Sequence, residues 1–170
     1  SIVATFDYDL LSSGLNAPHY AKTFADRRDP KAKMNRLYSV ESEFTTTGTA
    51  ADHHLSLASS KIGSLLLELE SAIDSGVSEP AEDASHAEKF FAALADDLKS
   101  HAGDCVVAVG ANQPADAHAV GFRINQKLGN IGKTMTLVRG DKPVDQAESL
   151  KAFASQSKSG ELKAAIILGG

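Results

Sequence analysis

Short apolar runs rich in β-branched residues recur along the chain, and each is separated from the next by a stretch with helical periodicity. Ile2 to Phe6, Arg36 to Glu41, Cys105 to Val109 and Ala164 to Leu168 read as strands, with a fifth run, Thr134 to Val138, after a Gly-rich turn. Near-continuous apolar strands are those covered on both faces, as in parallel sheets. Parallel neighbours require crossover connections, and helices supply them. The pattern therefore predicts an α/β fold, a Rossmann-like three-layer sandwich with a mostly parallel central sheet.

The helical stretches support that layering. Ile62, Leu65, Leu66, Leu69 and Ile73 fall on one face of a helix, and Ala87, Phe90, Phe91, Leu94 and Leu98 fall on one face of a second. Val120, Ile124 and Leu128 mark a third, entered through Pro114 and closed by Gly129. Asn16 is placed to cap a helix through Tyr20 and Phe24, and Ala147, Leu150 and Phe153 suggest another short one. Residues 76–85, dominated by Ser, Glu, Pro and Ala, read as a surface linker between successive helices. Residues 1–170 are expected to form a single α/β domain. Because the chain opens in one strand-like run and stops after another, it reads as a piece of a longer polypeptide.

Composition excludes several function classes. A net charge of -5 with dispersed Lys and Arg argues against nucleic-acid binding, which needs a concentrated basic surface. No stretch approaches the roughly 18 apolar residues of a spanning helix, so direct membrane insertion is not expected. The single cysteine, Cys105, permits neither an internal disulfide nor a cysteine-held cluster in this segment. His53-His54 follow Asp52, but no further ligand lies at usable spacing, and no metal site is expected. No Ser-His-acid or Cys-His spacing supports hydrolysis, so no catalytic residue is assigned and the segment is not expected to be catalytic in isolation.

Ligands of open α/β sheets bind beyond the carboxyl ends of the strands, so three loops are candidates. The first contains Asp7, Asp9 and Ser12-Ser13-Gly14. Its acids are either solvated strand-end residues or potential metal ligands and bases. The second begins at Glu41, where dinucleotide folds hydrogen-bond a ribose or base, and continues into Thr45-Thr46-Thr47-Gly48. The third, Gly110 to His118, pairs a glycine that allows close backbone approach with a helix N-terminus that could cradle an anion.

Two passages carry a family resemblance. RLYSVESEFTTTGTAADHHLSLA (Arg36 to Ala58) and VAVGANQPADAHAVGFRINQKLGNIGK (Val107 to Lys133) resemble molybdopterin oxidoreductases. The first matches a strand ending in an acid, a Thr-rich loop, and "A-D" leading into a short strand. The second matches a strand, polar loop and helix closing on a GNIGK turn. FDYDLLSSG (Phe6 to Gly14), MNRLYSVES (Met34 to Ser42) and TGTAADHHL (Thr47 to Leu55) bring the chain closer to a divergent branch of that family. This branch is the large iron–sulfur subunit of alternative complex III, a quinol:electron-acceptor oxidoreductase.

The resemblance implies a role in respiratory electron transfer. Its expected partners are the other domains of a parent chain and the subunits of a membrane-bound complex at the periplasmic face, with iron–sulfur clusters elsewhere in the parent. In an intact ancestral site Glu41, Thr46, Asn112, Gln113 and Asn130 would contact the guanine half of molybdopterin guanine dinucleotide. Departures argue against such a site. Competent relatives carry Asp-Pro-Arg where this chain has Glu41-Ser42-Glu43, and Asp7 and Asp9 replace the small-residue first loop. A like-charge contact at ~4 Å costs about 4 kcal/mol at an effective dielectric near 20. The expectation is a vestigial cofactor fold acting as scaffold, with no cofactor bound in this segment. The alternatives are a genuine dinucleotide-binding domain of a molybdenum enzyme and a small-molecule-binding regulatory module.

Overall fold

A computed structural model describes residues 1–14, 16–76, 79–138 and 145–166. Four strands form one all-parallel sheet: β1 (Ile2–Phe6), β2 (Arg36–Glu41), β3 (His53–Ser56) and β4 (Cys105–Val109), in the order β3-β2-β1-β4. The helices are α1 (Ala17–Ala25), α2 (Thr46–Ala50), α3 (Ser59–Ser75), α4 (His86–Ser100), α5 (Ala115–Lys127) and α6 (Gln146–Lys158). This is the α/β Rossmann-like arrangement that the alternating pattern predicts. The chain winds outward from β1 to β3 and then crosses back to β4, so the winding direction reverses between β1 and β4.

The chain divides into two compact units, Ser1–Leu137 and Val138–Gly170. The first holds the sheet and α1 to α5. The second holds α6, whose Leu150 and Phe153 are exposed and whose first turn is capped by the Asp145 carboxylate.

Alternation along the strands divides the sheet into two unlike faces. On the first face Ile2, Ala4, Phe6, Tyr38, Val40, Cys105 and Val107 join one core with α3, α4 and α5. Ile62, Leu66 and Leu69 of α3 and Leu94 and Leu98 of α4 are fully enclosed there. These are the positions at helical spacing in the sequence, which is why the stripe is buried. A Ser85–Glu88 capping box starts α4. Gly129, at φ 67°, terminates α5 in the left-handed region that a side chain would disfavour. On the second face Tyr20 and Phe24 of α1 approach the sheet, but an open groove of about 740 Å³ remains over Val3, Val106 and Ala108.

Three expectations need correction. Thr134 to Val138 is not a strand, since only Met135 forms a bridge, to Ile131. Residues 164–166 of the Ala164 to Leu168 run have no regular structure, and the remaining two lie outside the described residues. Asn16 stands at the N-cap of α1, yet its side chain makes no capping bond.

The β4 edge explains the first correction. Bonds from Ile2 N–H to the Asp104 carbonyl (3.2 Å) and from Gly110 N–H to the Phe6 carbonyl (2.8 Å) turn the even-numbered residues of β4 toward β1. The polar groups of Cys105 and Val107 therefore face outward, where a fifth strand would pair. The Asn125 side chain occupies that position instead. Its Oδ1 accepts from Val107 N–H (3.0 Å), and its Nδ2 donates to the Val107 carbonyl (2.7 Å) and the Gly121 carbonyl (2.8 Å). Thr134 Oγ1 donates to the Cys105 carbonyl. Asn130 Nδ2 donates to Asn125 Oδ1 at 2.9 Å, which fixes the orientation of the Asn125 amide.

Asn125→Ala would strip partners from three buried backbone groups. It should destabilise the protein by about 3 kcal/mol in urea unfolding. Lys127→Ala, which removes exposed ion pairs of the same helix to Asp74 and Glu70, should cost under about 1 kcal/mol.

Candidate functional site

Three loops and the start of α3 converge at the carboxyl end of the sheet, beside the winding reversal between β1 and β4. Phe6 ends β1, and Asp7 then turns sharply with φ 46°. That conformation is uncommon for a residue with a side chain. The backbone around it is tightly held, because Asp7 N–H donates to the Val40 carbonyl at 2.8 Å. On its other side, Gly110 lies so close that an added Cβ would fall 1.7 Å from the Asp7 carbonyl oxygen. No residue larger than glycine fits at the end of β4 without moving backbone. The two strand ends flanking the reversal point are thus packed against each other, where open α/β sheets usually leave a crevice.

The Asp7 side chain ties the remaining segments together. Its Oδ1 accepts from Ser42 N–H at 2.7 Å, just beyond β2. Its Oδ2 accepts from Gln113 Nε2 at 2.7 Å and from the Ser59 hydroxyl, the first residue of α3. Gln113 Nε2 also lies 2.7 Å from Ser59 Oγ. A carboxylate in this position complements the positive end of α3, whose N-cap Ala58 offers no side-chain acceptor. Partial burial alone would raise the Asp7 pKa. The bonds from Ser59, Ser42 and Gln113 outweigh it and hold the carboxyl below its ordinary range.

Asp9 performs the same task one turn further on. Its Oδ1 accepts from Thr47 N–H (3.1 Å) and Thr47 Oγ1 (2.7 Å), and its Oδ2 accepts from the Ser12 hydroxyl. Thr47 Oγ1 in turn accepts from Leu11 N–H at 3.0 Å, so the first loop is stapled to α2. Burial again pushes the pKa up, and the Ser12 and Thr47 bonds bring it below the usual value.

Glu41 is only 2% exposed. Its Oε1 accepts from Thr45 N–H (3.0 Å) and faces His54 Nε2 at 3.1 Å, a nitrogen that must carry a proton to pair with a carboxylate. Its Oε2 accepts from Thr45 Oγ1 (2.7 Å) and Ser39 Oγ (3.2 Å). Gly48 presses against it, since a Cβ there would come within 1.7 Å of Oε1. The carboxylate is saturated by its own neighbours, and no face of it is open to a ribose or base.

Of the five residues the resemblance nominates, Glu41 and Gln113 are buried and engaged as described. Thr46 opens α2 and Asn112 lies in the loop after β4, both exposed at this end of the sheet. Asn130 is not with them. It is fully buried near the start of β4, where its Oδ1 accepts from Gly103 N–H at 3.2 Å and contacts Cys105 Sγ at 3.4 Å. Its carbonyl also gathers the N–H groups of Lys133, Thr134 and Met135, so the GNIGK turn is organised around this asparagine. The sequence does not single out Ser59 or Thr47, and it marks Asp7 and Asp9 as solvated acids, ligands or bases, or as charges opposed to an anionic cofactor, but not as the groups that tie the loops together. Asp9-x-x-Ser12, a carboxylate three residues before a hydroxyl, is a local turn signal that was available. Among the described residues no cluster of three or more His, Cys, Asp or Glu side chains could hold a metal.

The donors gathered by the first two loops, the start of α3 and the loop after β4 are Ser42, Thr45 and Thr47 N–H, the Ser59 hydroxyl and the Gln113 amide. Each already serves a carboxylate of the chain. A pyrophosphate drawing on these donors would have to displace Asp7, Asp9 and Glu41 and leave their charges beside it, so these residues do not fit an anionic dinucleotide. Comparison with protein-family models and with curated proteins gives no match to this chain.

Gly110→Ala forces a side chain into the Asp7 backbone and should cost at least about 3 kcal/mol in chemical denaturation. Asp7 titrates lower folded than unfolded, so its stabilisation is full above about pH 5 and is lost as pH falls through the folded value. The stability gap between wild type and Asp7→Asn should accordingly be widest near neutrality and shrink below about pH 4. A gap that widened with acid would contradict this assignment.

Proposed function

We propose that this chain is a scaffold domain of a molybdopterin oxidoreductase-like protein working in respiratory electron transfer, built on a dinucleotide fold that no longer binds its cofactor. The observation that carries the reading is the Asp7 carboxylate at the winding reversal. It engages the Ser42, Ser59 and Gln113 donors while Gly110 closes the gap between β1 and β4. Its ancestry rests on the sequence resemblance at Arg36 to Ala58 and Val107 to Lys133.

In this reading the domain's work is mechanical. A rigid sheet end holds neighbouring domains of the parent chain and subunits of a membrane-bound complex at the periplasmic face in fixed relation. The redox chemistry belongs to iron–sulfur clusters elsewhere in the parent. Rigidity follows from the stapling, because each loop that would open around a nucleotide is pinned through a carboxylate to another loop or to the start of α3.

The test is cofactor content. The protein should be expressed in a host that makes molybdopterin guanine dinucleotide, purified, denatured, and its extract assayed by mass spectrometry. The scaffold reading predicts no pterin above the level of a control protein. Stoichiometric molybdopterin guanine dinucleotide would overturn it and establish the binding-domain alternative.

A further inference from the structure

We draw no further inference here: the strongest candidate, the open groove on the second sheet face floored by Val3, Val106 and Ala108, is an unpartnered apolar face, and nothing in the structure shows what covers it.

Discussion

Asp7 meets Ser42, Ser59 and Gln113 within one hydrogen-bonded cluster, although Gln113 is 106 residues away in sequence. The ends of β1 and β2, the start of α3 and the loop into α5 are all positioned by that carboxylate. Its cost is a left-handed turn at a residue with a side chain, and its requirement is a glycine at position 110. Strain of this kind persists only where the surroundings over-determine it. Four hydrogen bonds, counting the Asp7 N–H to the Val40 carbonyl, supply that determination. The same bonds occupy the Ser42, Ser59 and Gln113 donors at this end of the sheet.

The sheet is finished differently at its two ends and on its two faces. At the carboxyl end, carboxylates close the loops. Along the β4 edge, Asn125 and Thr134 stand in for a fifth strand and pair the Cys105 carbonyl and both outward groups of Val107. The first face carries three helices and an enclosed core, whereas the second has α1 and an open groove. Asn125 and Asn130 together show how a buried polar pair can set topology. Each amide is oriented by the other, and the backbone groups they satisfy would otherwise invite another strand.

Much of the fold is legible in the sequence because parallel strands and amphipathic helices are local patterns. The runs Ile2 to Phe6, Arg36 to Glu41 and Cys105 to Val109 coincide with β1, β2 and β4, and Ile62, Leu66 and Leu69 point into the core as their spacing predicts. Thr134 to Val138 has equally strand-like composition, but pairing depends on a free edge, and the edge is occupied by a residue of α5. α2 escapes notice because Thr-Thr-Gly-Thr-Ala is a poor helix former. It is held by the Thr45 cap and by Asp9 rather than by propensity. The site was harder still. Glu41 and Gln113 stand out as ligand candidates, yet Glu41 is filled by Ser39, Thr45 and His54, 2 to 13 positions away, and Gln113 by Asp7 and Ser59, 106 and 54 positions away.

An NMR titration of the 15N-labelled chain with guanosine diphosphate tests the central claim most directly. If the chain's own carboxylates fill the anion-binding positions, the amides of Ser42, Thr45 and Thr47 should show no saturable shift up to millimolar nucleotide. Saturable shifts centred on those three amides would mean that the nucleotide displaces Asp7, Glu41 and Asp9, and would contradict the account.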